Sequence, residues 1–362
     1  MSRDVHVNSE RSYSVAIGRG LLDQVVPLVE GASRAALIHQ PSVRDVESRV
    51  REILEAQGIE VVSIEVPDAE DAKTLDVAGR CWSRLGAAGF TRNDVILGIG
   101  GGAVTDLAGF LAATWLRGVR CVLIPTSLLA MVDAAIGGKT GINTGEGKNL
   151  VGVFASPVGV LCDVSSLVDL PRAEIVSGMA EVVKVGLTTD PTIVSDLLEH
   201  TDDALDPRGE LLPDLIRRAV QVKADIVSVD FRELGAGAGT IGRETLNYGH
   251  TLGHAIEHCE GYTWRHGNAV GVGLMFAGQL AHLGGRLDSA GVETHRAILD
   301  AVGLPRTYRS DAWPALLEAM SVDKKSRGKT LRFVVLDGLQ NPTIWQAPDP
   351  ELLVAAYRAI SA

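Results

Sequence analysis

The sequence predicts an α/β N-terminal domain of Rossmann-like type followed by a mostly α-helical C-terminal domain. Residues 1–170 alternate six short β-branched runs with amphipathic or glycine-rich segments, the order expected of a doubly wound sheet. After Leu170-Pro171 the strands nearly vanish and helical periodicity takes over. One apolar run ends in three glycines at the head of a helical pattern, a turn suited to a nucleotide. At 362 residues the chain exceeds one core of typical size, so two domains are expected, 1–170 and 171–362.

The expected strands are VAIG, RAALIH, VVSIEV, DVILGIG, VRCVLIPT and VGVLCDV. The second half carries helical patterns in AEIVSGMAEVVKVGL, LLPDLIRRAVQVKADIVSV, HTLGHAIEHCE and AVGVGLMFAGQLAHLGG. LRFVVLDG reads as a late strand or hairpin, and PDPELLVAAYRAIS as a closing helix with Asp349 near its start. LGAGAGTIG, at 234–242, is the one low-complexity stretch and reads as a mobile loop.

Hydrophobic residues make up 46% of the chain and charged residues 22%, an ordinary globular balance. A formal net charge of -11 opposes binding to a nucleic-acid backbone, which needs clustered Lys and Arg. Cys81, Cys121, Cys162 and Cys259 are scattered without CxxC spacing, so neither disulfides nor a thiolate metal site are expected. The first residues lack a signal core and no apolar run is long enough for a bilayer. A cytoplasmic protein with no membrane partner is the expectation.

In DVILGIGGGAVTDLAGFLAATWLRG, an apolar strand enters Gly100-Gly101-Gly102 and then a helix. Glycines let a pyrophosphate approach the unpaired amides of a helix start. The bland alternative is a tight strand-to-helix turn without a ligand. Gly98-x-Gly100-x-x-Ala103 meets the dinucleotide fingerprint only in part, because no convincing acid follows the next strand and Asp106 sits inside the helix.

PTSLLAMVDAAIGGKTGINTGEGKNLVG holds Thr126, Asp133, Lys139, Lys148 and Asn149 among glycines too numerous for a plain helix or strand. Such a loop suits phosphate or carboxylate, although a solvated surface loop would look the same. GGKT lacks the upstream glycine of a Walker motif, which rejects an ATPase.

Four of nine histidines fall at 250, 254, 258 and 266, a density that points to metal or proton chemistry. His250, His254 and His258 share one helical face, and His266 follows a break at Gly261. Glu181 is the leading carboxylate partner, with Lys184 one turn away in an apolar helix. Two histidines and one carboxylate would leave a coordination position open, as catalytic zinc sites do. Any one of these histidines could equally be a hydrogen-bonded structural residue.

Taken together, GGGAVTDLAG, ATWLRGV, PTSLLAMVDAAIGGKTGINTGEGKNLVG, GMAEVVK, LNYGHTLGHAIE and RHG resemble the 3-dehydroquinate synthases of the sugar phosphate cyclase superfamily, over most of the chain. The resemblance implies a metal, zinc or cobalt, on Glu181, His250 and His266, and makes His254 a proton-transfer residue. It implies catalytic roles for Lys139, Lys184, Arg243, Asn247 and His254. Substrate contacts would come from Arg117, Asp133, Lys148, Asn149, Lys223, Glu233 and Lys324 or Lys325. NAD contacts would come from Glu70, Lys73, Gly101, Gly102, Asp106, Thr126, Ser127 and Leu129, with Asp133, Lys139 and Lys148 shared. A homodimer is implied, acting on a phosphorylated sugar acid by transient oxidation, phosphate elimination, re-reduction and ring closure.

Three departures from the family pattern stand out. Extra Gly and Ala residues separate Glu233 from Arg243; Phe231 replaces an acid while Asp169 replaces a threonine; and IHQPSV lacks an aspartate that many members place near the adenosine ribose. Rival readings are another sugar phosphate cyclase, a metal- and NAD-dependent polyol dehydrogenase and a non-catalytic sugar-phosphate sensor.

Overall fold

The computed structural model describes residues 3–233, 241–327 and 330–362, with the backbone alone at residue 3 and at 322–327. The chain divides into two compact units, Met1–Leu170 with Ile216–Arg232, and Pro171–Leu215 with Glu233–Ala362.

The first unit is built on β1 (Arg3–Val7), β2 (Tyr13–Gly18), β3 (Arg34–His39), β4 (Glu60–Glu65), β5 (Val95–Gly100), β6 (Arg120–Pro125), β7 (Lys139–Thr144), β8 (Gly147–Phe154) and β9 (Gly159–Asp163). Seven of them form a sheet in the order β1-β2-β9-β6-β5-β3-β4, parallel except for the β1–β2 pair at one edge. All six expected runs are strands of this sheet. Every residue of β5 is buried, as a central parallel strand covered on both faces requires. One face packs Leu37, Leu97, Val122 and Leu161 against Val25, Val50 and Leu54; full burial of each such side chain contributes ~1.5–3 kcal/mol.

The chain runs from β3 to β4 in one direction across the sheet and then places β5 on the other side of β3. Sheets with such a reversal bind ligands beyond the carboxyl ends of the strands that flank it, here β3 and β5. The glycine turn lies there. Gly101 caps the helix Gly102–Thr114 without a side chain, and its N–H donates to Gln40 Oε1, just past β3, at 3.0 Å.

Two expectations are corrected. The lysine-bearing loop is an antiparallel hairpin of β7 and β8. Its glycines do not prevent strands but permit close ones, since a Cβ at Gly152 would fall 2.3 Å from Thr140 O. A single cut at residue 170 also fails, because Ile216–Arg232 belongs to the first unit. Lys223 donates to the carbonyl of Asp133 at 2.6 Å and to its carboxylate, and the Phe231 ring packs 5.8 Å from that of Phe154.

The second unit is helical apart from the antiparallel hairpin of β10 (Arg332–Leu336) and β11 (Pro342–Gln346). Asp349 caps the closing helix Pro350–Ala359 by accepting from Glu351 N. The cysteines are free, with Cys121 and Cys162 buried in β6 and β9. Among the described residues, no helix is long and apolar enough to cross a membrane. Most of the Gly/Ala-rich stretch, 234–240, lies outside the described residues.

Candidate active site

In the second unit, Glu181 and Lys184 sit one turn apart on the helix Arg172–Thr188, which is buried from Ser177 to Thr188. His250 opens the helix His250–Cys259 and His266 opens His266–Leu283. The three helices touch backbone to backbone. A Cβ at Gly267 would fall 1.8 Å from Ser177 O, and one at Gly273 would fall 1.9 Å from Gly249 O. Gly267 N also donates to Ser177 Oγ at 3.1 Å.

This packing brings Glu181 Oε1 to 3.4 Å from His250 Nε2 and 3.7 Å from His266 Nε2. Each ring has its other nitrogen engaged: His250 Nδ1 lies 3.0 Å from Tyr248 O, and His266 Nδ1 lies 3.0 Å from Glu257 Oε2. A carbonyl can only accept, so His250 Nδ1 carries the proton and its Nε2 is bare toward Glu181. Glu181 Oε1 is buried and accepts no hydrogen bond among the described residues. A buried carboxylate oxygen without a hydrogen bond, facing two imidazole nitrogens, has the chemistry to hold a divalent ion, and the three candidate ligand atoms lie within 4.8 Å of one another.

The electrostatics keep Glu181 ionised and shift the two imidazoles in opposite directions. Burial works against an ionised Glu181, but Lys184 and His250 hold its carboxyl well below the usual range. Burial, helped by the Lys184 charge, pushes His250 down. Burial alone would also lower His266, yet Glu181 and Glu257 carry it up to about 10. Lys184 Nζ donates to Glu181 Oε2 and, at 2.7 Å, to Leu246 O.

His254 is exposed, with its ring edge-on to His250 at 5.3 Å between centroids. It lines a cavity of about 110 Å³ with Asn247, His250, Glu244 and Arg332. Arg243, 2% exposed, lies on the same short helix as Asn247, Gly242–Asn247. Glu257 was not foreseen, although its position three residues beyond His254 on one helical face offered a signal. Glu233 has a left-handed backbone, φ 56. The side chains of Lys324 and Lys325 lie outside the described residues.

In the first unit, Lys73 is buried with its Nζ 2.6 Å from Asp106 Oδ2 and 2.5 Å from Asn149 Oδ1. Glu70 accepts from Asn143 Nδ2 at 2.6 Å and lies 3.5 Å from Lys148 Nζ. Burial opposes the ionised Glu70, but Lys73 and Lys148 hold it below its ordinary value. Burial pushes Asp106 up against the pull of Lys73. Thr126 N donates to Gly100 O at 2.9 Å, and Ser127 Oγ accepts from Ala130 N at 3.3 Å, with Leu129 preceding the turn Ala130–Ala134. The structure thus gathers Glu70, Lys73, Asp106, Lys148 and Asn149 into one polar network that includes the glycine-turn helix through Asp106. Asn143, its link between Glu70 and the β7–β8 hairpin, was missed. Lys139 begins β7 with its side chain exposed, and Arg117 is exposed with φ 68 beyond the glycine-turn helix.

Comparison with known proteins divides the chain once, near residue 177, and leaves 216–232 with the C-terminal part. Residues 63–177 match the 3-dehydroquinate synthase N-terminal family model, and residues 178–326 match the C-terminal one. The chain belongs to the 3-dehydroquinate synthase family. It is 55% identical over 361 residues to the 3-dehydroquinate synthase of Nocardia farcinica, covering 99% of this chain and 95% of that protein. Identity to the 3-dehydroquinate synthase of Streptomyces coelicolor is 56% over 347 residues, covering 95% and 94%. The solved structure of a 2-epi-5-epi-valiolone synthase from Streptomyces hygroscopicus shares the fold, with a TM-score of 0.88 at 24% identity and 98% coverage of each chain. Membership of the 3-dehydroquinate synthases makes the chain an enzyme.

Proposed function

We propose that this enzyme closes 3-deoxy-arabino-heptulosonate 7-phosphate into 3-dehydroquinate with release of phosphate, the second step of the shikimate pathway. The observation that carries the reading is Glu181 Oε1 facing the two imidazole Nε2 atoms, in a chain of that family. Glu181, His250 and His266 would hold a divalent metal, zinc or cobalt, and the glycine turn with the network of Glu70, Lys73 and Asp106 would hold NAD. The valiolone synthase structure contains NAD+ and Zn2+. Bound to this chain, NAD would supply a reversible hydride acceptor and the metal on Glu181, His250 and His266 would supply a Lewis acid for a substrate hydroxyl.

The chain's own residues supply the rest. Lys184 keeps Glu181 ionised and in place, and presents its ammonium to the substrate. His254, exposed beside His250, takes and returns protons during ring opening. Lys139, Lys148, Arg243 and Lys324 or Lys325 neutralise phosphate and carboxylate, with Arg117, Asp133, Asn149, Lys223, Glu233 and Asn247 fixing hydroxyls and charge. The enzyme works as a homodimer. β8 supports this, since Leu150, Val151 and Val153 are 61%, 43% and 38% exposed on a strand with one open edge, a surface proteins normally cover.

The test is to supply the heptulosonate phosphate with NAD and Zn2+ and follow phosphate release and product by NMR. Stoichiometric phosphate and 3-dehydroquinate without NADH build-up are expected. Net NADH, or affinity without phosphate release, would overturn the proposal.

A further inference from the structure

His295 lies on the helix Ser289–Val302 and is wholly buried, far along the chain from every residue assigned above. Its Nδ1 is 2.7 Å from Gly291 O, and its Nε2 is 2.6 Å from the hydroxyl of Tyr248, also wholly buried. Gly291 O can only accept, so Nδ1 carries the proton and Nε2 must accept from the Tyr248 O–H. Burial pushes the imidazole down to about 4, which keeps it neutral and fixes this direction.

Tyr248 is the joint between two functional segments. Its carbonyl accepts from His250 Nδ1 at 3.0 Å. Its N–H donates to Thr245 O at 3.2 Å within the short helix that carries Arg243 and Asn247. Two residues before Tyr248, Leu246 O receives Lys184 Nζ at 2.7 Å. Directly after Tyr248, Gly249 takes a left-handed φ of 78, where a Cβ would fall 2.9 Å from Leu274 N. A single buried phenol therefore anchors the backbone that aims His250, and a buried hydroxyl without its acceptor would leave that anchor unsatisfied.

We infer that His295 is a positioning residue of the metal centre, acting through the Tyr248 hydroxyl and carbonyl on the ring of His250. The inference rests on Glu181, His250 and His266 being the metal ligands. Outer partners of this sort typically change metal affinity by about 10–100-fold when removed.

The test measures Zn2+ affinity of the metal-free full chain by competition with a chromophoric chelator, and the visible spectrum of the Co2+-loaded protein. Tyr248→Phe keeps the ring and loses only the hydroxyl, His295→Phe removes the acceptor, and His295→Gln places an amide oxygen near the Nε2 position. Both phenylalanine variants are expected to bind Zn2+ about 10-fold or more weakly with an altered cobalt spectrum. The double variant should be no weaker than the worse single one, and His295→Gln should recover most of the affinity. Wild-type affinity and spectrum in Tyr248→Phe would overturn the inference, even if its melting temperature fell, and that variant decides alone if His295→Phe does not fold. Failure of the wild-type chain to bind Zn2+ would instead overturn the ligand assignment.

Discussion

Nδ1 of His266 meets Oε2 of Glu257 at 3.0 Å, and Glu257 is itself only 5% exposed. A buried carboxylate behind an imidazole fixes the ring's orientation and raises its basicity as a ligand. Glu257→Ala is therefore expected to bind Zn2+ about 10–100-fold more weakly while all three ligands remain. Chelator competition would check this, and unchanged affinity would show that His266 needs no such support.

Glu181 and Lys184 form a buried pair, 4% and 3% exposed at the side chain. Removing one partner of such a pair costs about 3–5 kcal/mol, because the other charge is left uncompensated. Glu181→Ala should lose that much stability in urea denaturation of the metal-free protein, and Glu181→Ala with Lys184→Met should recover much of it. Equal stability of the two variants would mean the lysine finds another partner.

Lys73 is held between Asp106 and Asn149. Asp106→Asn replaces a charge-assisted bond by a neutral one, so Lys73 loses its anchor. NAD affinity should fall roughly tenfold, the worth of one such bond. Isothermal titration with NAD reads the change directly.

The buried His295 also sets an acid limit. Its folded pKa of about 4 lies below the unfolded value of about 6.5, so the unfolded chain takes up the proton first as pH falls. The contribution to stability is full above about 6.5, declines as pH drops toward 4 and stays constant below that. Urea midpoints of metal-free protein across this window should fall less steeply in His295→Gln than in wild type. Parallel slopes would place the acid sensitivity elsewhere.

Val151 stands on the exposed strand β8. Val151→Lys should shift sedimentation toward a monomer if a second copy covers that strand. An unchanged dimer would locate the interface on another face.

The sheet was legible in the sequence because its strands are β-branched, buried and separated by helical patterns, so periodicity and order point to one answer. The hairpin of β7 and β8 was not, because its strands are glycine-rich for a reason visible only in space: Gly152 faces the carbonyl of Thr140. The path of Ile216–Arg232 into the first unit escaped notice for a similar reason. Helical periodicity reports a buried face but not which core buries it, and the Lys223–Asp133 contact spans ninety residues. The local histidine excess pointed to the cluster of Glu181, His250 and His266 proposed to hold the metal, and family resemblance chose among the four. Glu257 was within reach of the same helical periodicity, whereas His295 leaves no local trace.

Gly267 and Gly273 bear on what variation the centre can tolerate. Because main chain rests on main chain at both points, the span between the carboxylate and the two rings is gauged by the thickness of bare peptide. The gauge has no adjustable part: lengthening or trimming neighbouring side chains leaves it unaltered, while a single methyl at either glycine would pry apart the ligand-bearing rods. Substitutions in the side chains around Glu181, His250 and His266 can therefore reshape the walls of the cluster, while the spacing of the three helices is held by the two glycines.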